Sequence, residues 1–75
     1  MAQLPRVSGR EAIAAFERAG FTVRRRRASH IVMTRPGHPQ TLSIPDHREV
    51  RAGTLRSLIR KAGLTVDEFV SLLSL

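Results

Sequence analysis

The chain has 75 residues, the size of one small domain, and contains no cysteine, so disulfides and thiolate metal sites are excluded. No stretch approaches the roughly 18 apolar residues of a membrane span, and we expect neither a secretory signal nor any compartment other than a reducing cytoplasm. Thirteen Lys and Arg against six Asp and Glu give a net charge of +7, and twelve of the cations are arginine. Because arginine grips phosphate through a planar fork, this composition predicts a nucleic-acid partner.

The first predicted element is a helix over residues 9–19. Ser8 and Glu11 have the spacing of a capping box at its start. Apolar residues then recur at helical spacing up to Gly20, which predicts the helix end. Phe21 opens an alternating segment that predicts a first strand.

Two more short strands are predicted next. Residues 29–34 are β-prone, residues 35–39 have the composition of a turn, and residues 41–44 alternate again before Pro45. Consecutive strands with short links favour an antiparallel meander.

Two helices complete the predicted order. Apolar spacing from Leu55 to Ala62 predicts one, and Thr65 with Glu68 forms a second capping box before a short, apolar last helix. The predicted fold class is α+β, one domain over residues 1–75, with the order α-β-β-β-α plus the extra C-terminal helix and with helices on one face of the sheet. The expected core comprises all three phenylalanines and six aliphatic residues: Phe16, Phe21, Val23, Leu42, Ile44, Leu55, Leu58, Ile59 and Phe69.

The most distinctive segment, residues 24–30, reads Arg-Arg-Arg-Arg-Ala-Ser-His. Placing Ile31 and Met33 on the core face leaves His30 on the open face. Alternation allows at most two of the four arginines to share that face, and we interpret the others as edge charges that oppose strand aggregation. Nearby cations would favour a neutral imidazole base and would counter charge that develops on phosphate.

The other two histidines differ in their surroundings. His38 lies in a Pro-Gly turn and is interpreted as a solvated loop residue. His47 follows the third strand, and its place allows a return toward the sheet as a second proton-transfer group. The spacing of these histidines with Asp46 matches no metal-ligand pattern, so neither a metal nor a cofactor is expected.

The start of the helix after residue 52 is a candidate phosphate site. Free N–H groups at Gly53 and Thr54 would attract phosphate, and Arg56 adds a cation. The alternative is an ordinary solvated helix face.

Six short residue groups carry a family pattern: Ser8-Gly9 with Glu11, Ala19-Gly20-Phe21, Ser29-His30, Pro45 with His47, Gly53-Thr54-Leu55-Arg56, and Ala62-Gly63-Leu64 with Glu68-Phe69. In this order and spacing, from residue 8 to residue 73, the chain resembles the HicA-type toxins of bacterial and archaeal toxin–antitoxin pairs. The resemblance implies a fold like the double-stranded-RNA-binding domain and a ribonuclease that cuts messenger RNA without the ribosome. It also implies that His30 is the catalytic histidine, and that a HicB-type antitoxin covers the site and binds operator DNA.

The chain departs from the family pattern at two positions. Ala28 stands where the family commonly has the glycine of Gly-Ser-His, and Met33 stands where an aromatic residue often follows the histidine. These changes bear on rate and stability more than on the type of reaction.

The leading hypothesis is therefore a metal-independent endoribonuclease toxin in which His30 is the general acid/base, with His47 as a possible second group. Phosphate contacts are expected along the arginine run and at the helix start: Arg24, Arg25, Arg26, Arg27, Ser29, Gly53, Thr54 and Arg56. Two alternatives remain, a non-catalytic module that binds double-stranded RNA and an adaptor whose basic face docks an acidic protein.

Overall fold

A computed structural model describes residues 3–75 of the chain. Its elements, in chain order, are α1 (Gly9–Arg18), β1 (Thr22–Arg27), β2 (His30–Thr34), β3 (Leu42–Pro45), α2 (Ala52–Lys61) and α3 (Val66–Leu73). The strands form one antiparallel sheet in the order β1-β2-β3. The predicted α+β class, element order, meander and extra C-terminal helix are confirmed. Between residues 3 and 75, no helix is long and apolar enough to cross a membrane.

Two of the three helices begin with a complete capping box. Ser8 Oγ accepts from Glu11 N at 3.1 Å while Ser8 N donates to Glu11 Oε1 at 2.8 Å. Thr65 and Glu68 repeat both bonds at the start of α3. By contrast, the N-cap of α2 is Arg51, which makes no side-chain cap bond, and the first turn of α2 contains no acidic residue. Its first N–H groups therefore lack the side-chain acceptor that the other two helices have.

The three phenylalanines form the centre of the core. The Phe16 ring lies 6.1 Å from that of Phe21, edge to face, and 5.2 Å from that of Phe69. All three are buried, and they are the only aromatic residues of the Phe, Trp and Tyr class in the sequence. The surface therefore offers no such ring on which a splayed base could stack, so recognition of a nucleic acid would rest on backbone charge and shape.

One predicted core residue is placed wrongly. Val23 is 40% exposed, whereas the other eight are buried. Val23 lies on β1, which is an edge strand of the sheet. Of the described helices only α1 packs against β1, since α2 contacts β3 and α3, and α3 contacts α1 and α2. All six residues of β1 are exposed as a result. The valine pattern is typical of a core strand, but α1 alone covers this edge and leaves Val23 partly exposed.

Candidate functional site

An open pocket of about 380 Å³ lies beside the N-terminal end of β2. His30, the first residue of β2, lines it, and Thr54 from the first turn of α2 does so as well. Every second residue from β3 to the start of α2 completes the lining: Ser43, Pro45, His47, Glu49 and Arg51. Two imidazoles, a carboxylate and a guanidinium therefore converge on one space.

The period of two that β3 sets continues through the loop formed by residues 46–51. Ile44 and Val50 are buried on the other side of this segment. Gly9 N donates to His47 O, and Val50 N donates to Val7 O, each at 2.8 Å. These bonds tie the loop, which bends at residues 47–49, to the chain at the start of α1 and hold its alternate side chains at the pocket.

Gly9 allows this close approach. A Cβ at position 9 would overlap Pro45 O and would lie 2.9 Å from the Cα of Asp46. Because both neighbours are backbone atoms, no side-chain movement relieves the overlap. The start of α1 and the loop that carries His47 can meet only with glycine at this position.

A second set of contacts fastens the β1–β2 turn to the same loop. Asp46 N donates to Ser29 O at 2.7 Å, and Arg26 Nη2 lies 2.7 Å from Asp46 Oδ2. The hydrogen bond from Arg26, with its positive charge, holds the pKa of Asp46 below its usual value. His30 directly follows this turn and His47 directly follows Asp46, so the contacts position the two histidines relative to each other.

A β-bulge between Val23 and Arg25 sets the faces of the arginine run. Beyond the bulge, Arg25 pairs with Val32 and Arg27 pairs with His30, so both share the open face with His30. Arg26 pairs with Ile31 and reaches Asp46. Two of the four arginines therefore share the His30 face, which is the maximum that alternation along a strand allows. The bulge shifts the register so that these two are Arg25 and Arg27.

The structure divides the remaining predicted site residues between the pocket and its surroundings. His47 and Thr54 line the pocket with His30, whereas the four arginines of β1 do not. Ser29 lies in the turn before His30, and Gly53 is exposed in the first turn of α2. Arg56 lines a different depression, together with Arg60 and the start of α3.

The interpretation of His38 as a solvated loop residue is wrong. The His38 side chain is half-buried, with Nε2 2.6 Å from Lys61 O and Nδ1 3.1 Å from Arg35 Nη2. Its ring meets that of Phe21 edge to face at 5.4 Å. The contact of Nε2 with Lys61 O joins the β2–β3 turn to the end of α2. The other ring nitrogen, Nδ1, has its partner at Arg35, just after β2.

Sequence reasoning missed Ser43, Glu49 and Arg51 as pocket residues. Apolar–polar alternation does not mark Glu49 and Arg51, because residues 46–49 are all polar. The sequence indicates a polar loop after Pro45, and the structure has such a loop, with bends at residues 47–49. Within residues 3–75 no group of three or more His, Asp or Glu side chains is placed to hold a metal ion.

The residues that line this pocket lie within a segment that matches a known family. The chain matches the family described as "HicA toxin of bacterial toxin-antitoxin" over residues 9–64. The chain belongs to the HicA toxin family. The matched span includes β1 to β3 and every residue that lines the pocket. The comparison with curated proteins finds no match.

Membership in the HicA family makes the chain the toxin of a toxin–antitoxin system and implies an antitoxin partner. Ala28, one of the two departures from the resemblance described above, has a left-handed backbone conformation. Ala28 has a φ of 56° in the two-residue turn between β1 and β2, a conformation that costs a non-glycine residue about 1 kcal/mol. Met33, the other departure, is fully buried.

Proposed function

We propose that this HicA-family toxin is an endoribonuclease that cleaves messenger RNA, with His30 as the general acid/base and without a metal ion or the ribosome. The observation that carries the proposal is the convergence of His30 and His47 in one open pocket. Family membership supports the class of activity. The pocket supplies two imidazoles, the side-chain type that most often serves as general acid or base.

The proposed reaction begins at a ribose 2′-hydroxyl. Neutral His30 takes its proton, and the 2′-oxygen attacks the adjacent phosphorus. The bond from phosphorus to the 5′-oxygen breaks, and a charged His47 donates a proton to that leaving oxygen. The products are a 2′,3′-cyclic phosphate and a 5′-hydroxyl end, and a positioned general base typically contributes about 10²–10⁴-fold to such a rate.

The arginine run would hold the RNA strand beyond the pocket. Arg25 and Arg27 share the face of His30, and Arg24 is exposed at the edge, whereas Arg26 is already paired with Asp46. The remaining phosphate contacts are proposed along the pocket rim and α2, at Ser29, Gly53, Thr54 and Arg56.

The partner is proposed to be a HicB-type antitoxin that covers this pocket. Operator DNA would be bound through the antitoxin and not by the toxin itself. Messenger RNA as substrate places the activity in the cytoplasm.

The test is cleavage of a defined RNA by purified protein in EDTA, with His30→Ala against wild type. Thr34→Ala is the matched control, because position 34 lies on the same strand and face but does not line the pocket. We expect His30→Ala to lose about 10²–10⁴-fold in rate and Thr34→Ala to retain it. Equal cleavage by His30→Ala, or cleavage that EDTA abolishes, would contradict the mechanism. Tight RNA binding without any cleavage by wild type would favour the non-catalytic binding module.

A further inference from the structure

The pocket and the arginine run supply different cations. Among the described residues that line the pocket, Arg51 is the only arginine or lysine. The four arginines of β1 lie outside it, and Arg56 lines a separate depression. Arg51 is therefore the permanent positive charge that the pocket itself contributes, whereas Arg27, the cross-strand neighbour of His30, lies on the same face outside the pocket.

The Arg51 guanidinium is available for a ligand. Arg51 is exposed and its side chain makes no hydrogen bond at the start of α2. The one ion pair found among residues 3–75 joins Arg26 to Asp46, although the carboxylate of Glu49 lines the same pocket as Arg51. Among residues 3–75 no acceptor occupies the five N–H donors of this guanidinium, which can therefore meet an incoming ligand.

We propose that Arg51 binds the phosphate that is cleaved, donating two N–H groups to its non-bridging oxygens. This inference rests on the proposed ribonuclease function and adds to it a substrate-binding residue at the reacting atoms. Attack by the 2′-oxygen places more negative charge on the non-bridging oxygens, and a planar fork matches that geometry. The arginines of β1 then hold flanking phosphates, which affects binding of the strand more than the chemical step.

The carboxylate of Glu49 leads to a second prediction about phosphate binding in the pocket. In the proposed reaction one imidazole is charged, so the carboxylate of Glu49 offsets only part of the positive charge in the pocket. A phosphate that enters the pocket is attracted by the remaining charge and by directed hydrogen bonds, and Glu49 weakens that attraction. Glu49→Gln removes the negative charge and is expected to tighten binding of a 2′-O-methyl RNA, whereas Arg51→Ala is expected to weaken it. Unchanged affinity in both variants would place the phosphate outside the pocket and overturn the inference.

The kinetic experiment compares Arg51→Ala and Arg51→Lys with Arg48→Ala. Arg48 is an exposed arginine of the same loop that does not line the pocket. It lines a neighbouring depression with Asp46 and Arg10, which shares only His47 with the pocket. We expect Arg51→Ala to lower kcat by about 10- to 100-fold, less than the loss of an enclosed oxyanion donor because the pocket is open. Arg51→Lys keeps the charge without the fork and should recover only part of this loss. Arg48→Ala should change kcat less than twofold.

Cleavage of a substrate with one phosphorothioate at the cleaved position distinguishes direct contact between Arg51 and the phosphate from a purely structural role of Arg51. Sulfur in place of the oxygen that Arg51 contacts should slow wild type, and Arg51→Ala should reduce that slowing to near zero. If wild type cleaves RNA and His30→Ala does not, yet Arg51→Ala behaves like Arg48→Ala, this inference is wrong while the proposed function stands. If wild type does not cleave RNA, the proposed function fails first.

Discussion

The arginine run of β1 and the pocket beside it are both polar, but they are built in opposite ways. The run concentrates charge in four consecutive residues on an exposed edge strand, and only Arg26 has an ion-pair partner within residues 3–75. The pocket gathers single residues from β2, β3, a loop and α2, and backbone hydrogen bonds at Gly9 and Val50 hold its loop in place. The comparison shows that charge density marks where a polyanion can bind, whereas convergence of different side chains marks where chemistry can occur.

The largest expected effect comes from disrupting the contact between Gly9 and the loop that follows β3, which leaves the four arginines of β1 unchanged. Gly9→Ala places a Cβ against backbone atoms of Pro45 and Asp46 and should lower the free energy of unfolding by about 2–3 kcal/mol. RNA cleavage should fall further than RNA binding, because the loop that carries His47 is displaced. Chemical denaturation and a cleavage assay at a temperature where both variants are folded measure these effects.

Gly53→Ala is the matched control for that substitution. A Cβ at position 53 meets nothing within 4 Å, and alanine in a helix is favoured over glycine by about 0.5–1 kcal/mol. We expect this variant to be as stable as wild type or more so. Comparable losses at both glycines would mean that the contact between Gly9 and the loop does not hold the pocket together.

The next effect concerns the run alone. Arg25→Ala combined with Arg27→Ala removes two cations from the face of His30, and the slope of log affinity against log salt should fall by about 1.4 for single-stranded RNA. The maximal cleavage rate at saturating RNA should change little, because neither residue lines the pocket. Binding titrations at several salt concentrations, with parallel measurement of kcat, separate the two regions. A large loss of kcat with an unchanged salt slope would reverse the assignment.

A smaller effect is expected at the turn that joins the two regions. Ala28→Gly relieves a left-handed backbone at φ 56° and should raise stability by about 0.5–1 kcal/mol, after allowance for the greater freedom of glycine in the unfolded chain. Ala14→Gly, the same substitution within α1, should instead destabilise by about 1 kcal/mol. Thermal unfolding of the two variants should therefore shift in opposite directions, and a shared downward shift would show that Ala28 is unstrained.

The smallest effect is the acid response of the contact between Arg26 and Asp46. Because the pKa of Asp46 is lowered in the folded state, its contribution to stability is present above the ordinary aspartate value of about 3.9 and is lost as pH falls through the folded value. The difference in Tm between wild type and Asp46→Asn should be greatest near neutrality and should close toward pH 3. Glu17→Gln, at an exposed carboxylate on α1, should show a smaller difference at neutral pH, and equal differences would remove the special role of Asp46.

Local signals predicted most of the fold. The capping boxes at Ser8 and Thr65 and the alternation in β2 and β3 each depend on residues close in sequence, and the structure confirms them. Val23 could not be placed in this way, because its exposure depends on how far the helix layer extends over β1. The bulge after Val23 was likewise invisible, since a run of four arginines gives no signal of which residue is unpaired.

The candidate site shows the same division. The exposed position of His30 follows from the core preference of Ile31 and Met33, and both are buried as expected. Of the partners of His30 in the pocket, Thr54 was predicted as a phosphate contact and His47 as a possible second group. Glu49 and Arg51 did not follow from the sequence, because their loop reaches the site through contacts with Val7 and Gly9. Such contacts between distant parts of the chain leave no periodic pattern at either end.

The most direct test of the central claim, that the pocket cleaves RNA through a ribose 2′-hydroxyl, is analysis of the cut ends. Purified toxin in EDTA should leave a 2′,3′-cyclic phosphate and a 5′-hydroxyl, and a single 2′-deoxy substitution at the cleaved nucleotide should block the cut. Products with a 3′-hydroxyl and a 5′-phosphate, or undiminished cutting of the deoxy-substituted strand, would contradict the account.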